Sequence, residues 1–147
     1  MKKSPDETFD QLGLIPSVRW YVDRFAKRSG IEIALIASDE VGRLPVEVER
    51  DIFRIVQETL SNIYRHSGCR GAAIAIEKKG NSVIVQIKDR GHGISKMDDG
   101  IASLDGLGLR SIRKRLRKLG GRLEIYPSVE GTLLTAQVPV PAEVRAS

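Results

Sequence analysis

Glu58 and Asn62 stand four residues apart in residues 46–66, where Val48, Ile52, Ile55, Val56, Leu60 and Ile63 recur at helical spacing. One helical turn separates the two, so a carboxylate and an amide oxygen share an edge and project into one space. Both are hard oxygen donors, suited to Mg²⁺ that phosphates carry in. Standing alone, they are better explained by a capping or surface polar pair. Asp89-Arg90-Gly91-His92-Gly93-Ile94 falls where a β-type run gives way to a glycine-rich turn. Glycine there lets backbone approach a ligand, and a strand-end aspartate can accept hydrogen bonds from an amino group. Gly106-Leu107-Gly108-Leu109 opens a basic helix, whose N–H groups and dipole favour an anion. In isolation these two segments are equally a polar turn and a hinge. His66 lies near the apolar face of its helix, where a packing role competes with a ligand role.

The elements that would position these groups follow from periodicity. Residues 14–28 carry Leu14, Val18, Tyr21, Val22 and Phe25 at helical spacing, and Ser29-Gly30 stops them. Residues 31–37 form a β-branched strand pattern, 39–44 a turn, and Pro45 suits the first position of the helix over 46–66. On that helix Asp51, Glu58, Asn62 and Arg65 make a polar stripe along the margin of the apolar face, the place where a core opens into a cleft. Strands are expected at 71–78 and 82–89, with Lys79-Gly80-Asn81 as the turn between them. Residues 90–108 are rich in Gly, Asp and Ser and longer than an ordinary connection. A helix built on Leu109, Ile112, Leu116 and Leu119 ends at Gly120-Gly121, and strands at 122–126 and 132–139 complete the order. That order predicts an α+β fold: a two-layer sandwich of one mixed sheet with helices on one face. Glycines 91, 93, 106 and 108 match neither a P-loop nor a dinucleotide-binding spacing.

The chain has 147 residues, about one domain's worth. At 41% hydrophobic and 29% charged it is neither disordered, collagenous nor coiled-coil. No apolar run reaches the roughly 18 residues of a membrane span, and one cysteine, Cys69, cannot form an internal disulfide. Two histidines and one cysteine argue against structural zinc, and the expected compartment is the cytoplasm. The net charge of +5 points to a negatively charged partner. Between Arg110 and Arg122 seven of thirteen residues are basic.

Taken in order, Glu58 through His66, Asp89 through Gly93, Gly106 through Leu109 and Gly131-Thr132 resemble the GHKL ATPase superfamily of DNA gyrase, mismatch-repair ATPases and histidine kinases. Within it the chain is similar to the ATP-binding catalytic domain of sensor histidine kinases that signal to LuxR/NarL-type response regulators. The resemblance spans residues 12–141 and implies a Bergerat fold with a short mobile ATP lid over 95–105. It implies that Asn62 binds the Mg²⁺ bridging the phosphates and that Glu58 orients or activates the attacking group. By the same resemblance Arg65 and His66 are the basic pair near phosphate. Asp89, with Gly91, Gly93 and Ile94, grips adenine. Gly106, Leu107, Gly108 and Leu109 lie on the phosphate side, and Thr132 places a hydroxyl beside Asp89.

Two departures stand out. Tyr126-Pro127-Ser128-Val129 replaces the family's frequent Ser-x-Pro-Gly, and the hairpin bearing an acceptor histidine is missing, since neither His66 nor His92 has that context. Residues 1–30 therefore read as a junction helix from an absent dimerisation and phosphoacceptor domain, 31–141 as the ATP-binding catalytic domain, and 142–147 as a tail. The implied partners are ATP or ADP, the parent's histidine-bearing hairpin and a downstream response regulator. No nucleic acid is expected, the isolated domain is expected to be monomeric, and a membrane anchor on the parent stays open. Two rival classes remain beside this reading: a serine-directed GHKL kinase of the anti-sigma-factor type, and a non-enzymatic basic module for nucleic acid using residues 110–118.

Overall fold

The computed structural model describes residues 12–67, 71–90, 109–128 and 131–140. Helix α1, Leu14–Ser29, buries Leu14, Val18, Val22 and Phe25, the stripe its sequence spacing anticipates. It ends at Gly30, whose φ of 79° only glycine adopts without strain and whose N–H caps the Ala26 carbonyl. Strand β1, Glu32–Ala37, leads through a 3₁₀ turn at Asp39–Val41 into helix α2, Val46–Asn62. Pro45 is the residue before that helix and not its first: its ψ of 141° is extended. Its carbonyl nevertheless accepts the Glu49 N–H at 3.0 Å. Glu49 is buried and turns its carboxylate back on this entry, accepting from Leu44 N–H and Arg43 Nε at 3.1 Å each. Acid in a first turn also complements the helix dipole.

The expected single helix over 46–66 divides. At Asn62 the α-helix stops and Ile63–Ser67 widens into a π-helical turn. The Ile63 N–H is shared between the carbonyls of Thr59 and Leu60, a bifurcated bond at the point where the switch occurs. Such turns are rare and concentrate at functional sites.

Strands β2, Gly71–Lys79, and β3, Ser82–Asp89, are joined by Gly80-Asn81 alone, because Lys79 pairs with Ser82. Helix α3, Arg110–Lys118, stops at Gly120, with φ 75°, and the Gly121 N–H returns to the Leu116 carbonyl at 2.7 Å. Strand β4 runs Arg122–Ser128, two residues beyond the expected end, and pairs with β5, Gly131–Pro139. The extension takes in Pro127, which a sheet tolerates on an edge strand. That is where β4 lies.

The sheet order is β1-β2-β3-β5-β4, with β1 parallel to β2 and every other pair antiparallel. The parallel pair requires a crossover, and α2 supplies it. Alternation puts Ile74 and Ile76, Val83, Val85 and Ile87, and Leu134, Ala136 and Val138 on the buried face. There they meet Ile52, Ile55, Val56 and Leu60 of α2 and Ile112 and Leu116 of α3 in one core. This is the two-layer α+β sandwich. Helix α1 is pinned by rings: Tyr21 meets Phe53 edge-on at 5.6 Å, and Phe25 meets Tyr64 of the π-turn at 6.2 Å.

Candidate functional site

Strand register brings the site to one end of the sheet. Asp89 closes β3 opposite Ala72 near the start of β2, and the pairing of Lys88 with Leu133 sets Asp89 beside Thr132. Strand β2 follows directly from the segment that leaves the C-terminal end of α2, so Asn62 comes to the same end. The first turn of α3 joins them, because Ser111 Oγ donates to Glu58 Oε2 at 3.2 Å.

Asp89 is 4% exposed, a depth at which a carboxylate needs partners. Its Oδ1 accepts the Thr132 N–H at 3.0 Å, which fixes the carboxylate's plane. The Thr132 backbone thus reaches Asp89, and Thr132 is the residue whose hydroxyl the sequence resemblance places beside that carboxylate. The approach depends on Gly131, whose φ is 148°. A Cβ there would run into the Asp89 carbonyl and lie 2.9 Å from Oδ1. On the other side, the Arg90 N–H donates to the Gly71 carbonyl at 2.9 Å and its guanidinium lies where a Gly71 side chain would be.

Asn62 is the last α-helical residue and is buried. Its Oδ1 accepts from Arg65 Nη2, one turn on in the π-turn, at a long 3.4 Å. Glu58 is one turn earlier and one-third exposed. Its Oε2 takes Ser111 and faces Arg115 Nη2 at 3.6 Å, while its Oε1 is buried with no hydrogen-bond partner among the described residues. Asp51, two turns before Glu58, pairs with Arg115 Nη1 at 3.1 Å and Lys118 Nζ at 3.0 Å. The stripe expected to line an opening is thus divided. Its Asp51 end is covered by α3 in an ion-pair lattice, and its Asn62–Arg65 end alone continues toward Asp89.

Leu109 precedes α3 and is buried in the core, so what it can offer a ligand is backbone. Gly91, Gly93, Ile94, Gly106, Leu107, Gly108 and the 95–105 stretch lie outside the described residues, as does the side chain of His66. A cavity of ≈ 570 Å³ opens on α3, lined by Ser111, Lys114, Arg115, Arg117 and Lys118. Its cations make this flank of the site attractive to anions.

Among the described residues no group of three His, Cys, Asp or Glu could hold a metal alone. The donor set on α2, one amide oxygen and one carboxylate a turn apart, fits an ion that keeps most of its coordination on phosphates and water. Ser111 and Arg115 were not singled out from sequence. The facing of a basic helix by an acidic stripe at positions 51 and 58 is the signal that could have found them.

A strand-end aspartate gripped by a Gly-Thr pair, and a Glu–Asn pair at a helix end on this sandwich, define an ATPase-type nucleotide domain. Residues 47–142 match the family described as "Histidine kinase-, DNA gyrase B-, and HSP90-like ATPase", and the chain belongs to it. It is similar to the sensor histidine kinase MctS of Rhizobium johnstonii, 33% identical over 88% of this chain and 28% of MctS. It is also similar to the sensor histidine kinase LiaS of Bacillus subtilis, 34% identical over 91% of this chain and 36% of LiaS. The chain therefore spans about a third of the length of these relatives. In fold it matches the catalytic domain of histidine kinase ThkA, with a TM-score of 0.69 at 18% identity, over 86% of this chain and 90% of that one. A histidine kinase domain from Erythrobacter litoralis gives a TM-score of 0.65 at 18% identity, over 85% and 60% of the two chains. Within its family the chain is the ATP-binding catalytic domain of the histidine kinase kind.

Proposed function

We propose that the chain presents the γ-phosphoryl group of Mg·ATP to a histidine on a separate helical hairpin of its parent kinase. The observation that carries this is the convergence, at one end of one sheet, of Asp89 held by Thr132 N–H and of the Glu58–Asn62 edge. In this reading Asp89 accepts from the adenine amino group, and the buried carboxylate selects a base that can donate. Asn62 offers its Oδ1 to the metal and Arg65, already against that oxygen, balances phosphate charge. A bound Mg²⁺ would neutralise the phosphate oxygens and hold them in line. Glu58 orients the incoming imidazole and takes its proton. Positioning and charge stabilisation dominate such transfers, so few protein groups are needed.

The resemblance of the motifs to one branch of sensor kinases extends the proposal to a LuxR/NarL-type response regulator downstream and a cytoplasmic site of action. The test supplies γ-labelled ATP, the chain and a histidine-bearing dimerisation hairpin. Acid-labile label is expected on the hairpin, and none on a hairpin whose histidine is changed to Gln. Label on serine or threonine instead would overturn the histidine acceptor in favour of a serine-directed kinase.

A further inference from the structure

We propose that Arg115 is a positioning residue for Glu58: with Ser111 it holds Glu58 by one carboxylate oxygen and so sets the direction of the whole carboxylate. The inference rests on the role proposed for Glu58 above.

Asp51 and Glu58 are seven residues apart on α2, two helical turns, and therefore stack along one edge. Arg115 spans them with the two arms of one guanidinium. Its Nη1 is 3.1 Å from Asp51 Oδ1, a proper hydrogen bond, while its Nη2 is 3.6 Å from Glu58 Oε2. Lys118 occupies the second oxygen of Asp51 at 3.0 Å, and Asp51 itself is buried. Arg115 is thus anchored at Asp51 and leans on Glu58 from a distance.

An arginine serving only to tie two helices together would do best in a bidentate fork, both carboxylate oxygens engaged. Here the fork is refused. Among the described residues Glu58 Oε1 and Arg115 Nε are each buried without a hydrogen-bond partner, an arrangement that costs free energy. Ser111 completes the hold on Oε2 at 3.2 Å, so the carboxylate's rotation is restricted. A carboxylate held at a fixed angle is what a base needs if it is to meet its proton in a set direction. Both holding residues lie on the first turns of α3, and α3 continues from Gly106-Leu107-Gly108-Leu109 in the sequence. How α3 is seated on α2 therefore sets the orientation of Glu58.

The test is a double-mutant cycle in the labelled-ATP transfer assay with chain and hairpin: wild type, Glu58→Gln, Arg115→Met and the double variant, with Arg115→Lys and Ser111→Ala beside them. Transfer rate at saturating nucleotide, nucleotide dissociation constant and thermal midpoint are read for each. Arg115→Met is expected to slow transfer about ten- to a hundredfold with the dissociation constant nearly unchanged, and Arg115→Lys to recover part of the loss. In the Glu58→Gln background the same change should cost less than about twofold, because it acts through a carboxylate already gone. If Arg115→Met slows transfer equally in both backgrounds, the positioning role is overturned while the role of Glu58 stands. If Glu58→Gln transfers at the wild-type rate, the catalytic reading of Glu58 falls and this one with it. Should Arg115→Met fail to fold, Ser111→Ala carries the cycle, and a wild-type rate in that variant overturns the hold on Oε2.

Discussion

Asp89 is buried, and a backbone N–H from Thr132 gives its carboxylate a defined direction. Changing it to Asn keeps an oxygen for that N–H and removes the charge an amino donor would meet. Asp89→Asn is expected to weaken ATP and ADP binding by about 1–3 kcal/mol, the difference between a charged and a neutral or mismatched acceptor. Calorimetry returning wild-type affinity would remove adenine recognition from Asp89. Asn62 answers a different question. Its Oδ1 leans on Arg65 at 3.4 Å, a weak hydrogen bond that a harder cation can displace. Asn62→Ala is expected to abolish the gain in nucleotide affinity on adding Mg²⁺ and to leave binding in chelator mostly intact. A full Mg²⁺ response in the variant would make this residue structural.

At the scale of elements, the decisive contact is α3 on α2. Asp51 faces two cations there, one mostly buried and one mostly exposed, whereas the Asp23–Lys27 pair on α1 is in open solvent. Breaking a pair with a buried member leaves an uncompensated charge; breaking a solvated one leaves almost nothing. Asp51→Ala should therefore cost about 1–3 kcal/mol in a urea titration and Asp23→Ala about 0.5 kcal/mol or less. Equal shifts of the two midpoints would mean the lattice is merely a solvated face. Much of this architecture was legible in advance. The period-two alternation of β2, β3 and β5 and the stripe of α2 predict the sandwich, and Glu58, Asn62 and Asp89 announce themselves by type and local spacing. Ser111 and Arg115 do not, since their partners lie 53 and 64 residues away in sequence, and a basic residue on an amphipathic helix looks solvated. The π-turn was hidden for another reason. Over one turn, the spacing of Leu60, Ile63 and Tyr64 fits a 3.6-residue and a wider helix equally well.

The pairing of α1 with α2 gives a second handle at this scale. Tyr21 stands between Phe25 and Phe53, and burial pushes its phenol above the ordinary 10.0. A raised value in the folded state means that the fold prefers the protonated ring. That preference costs nothing below pH 10 and is lost as pH climbs through the folded value, where the chain must either ionise a buried phenol or unfold. Tyr21→Phe removes the titration and keeps the rings. The variant's thermal midpoint should hold better than the wild type's above about pH 10 and match it closely at pH 7. Parallel decline of the two at alkaline pH would exclude Tyr21 as a contributor.

For the molecule as a whole, the site is built inward, and this bears on what can be phosphorylated. Strand register sets Asp89 beside Thr132 at one end of the sheet, and Ser111 of α3 ties down Glu58, one turn before Asn62. His66 belongs to the π-turn that leaves Asn62, four residues along, and His92 follows Asp89 by three. Both are thus only a few positions along the sequence from residues proposed to hold the nucleotide. Transfer requires the attacking nitrogen, phosphorus and leaving oxygen to approach a line, with the attacker on the side away from the leaving group. A histidine three or four positions along the chain from a residue proposed to hold the nucleotide has little reach toward that position, whereas a histidine on a separate helix can enter from outside. The chain alone with γ-labelled ATP is therefore expected to stay free of acid-labile label at concentrations where it binds nucleotide fully. The same preparation should label an added hairpin, and His66→Gln and His92→Gln variants should label it too. Acid-labile phosphate on the chain alone that disappears in either variant would show that the pocket's own histidine can be attacked, and the outside-acceptor geometry would have to be abandoned.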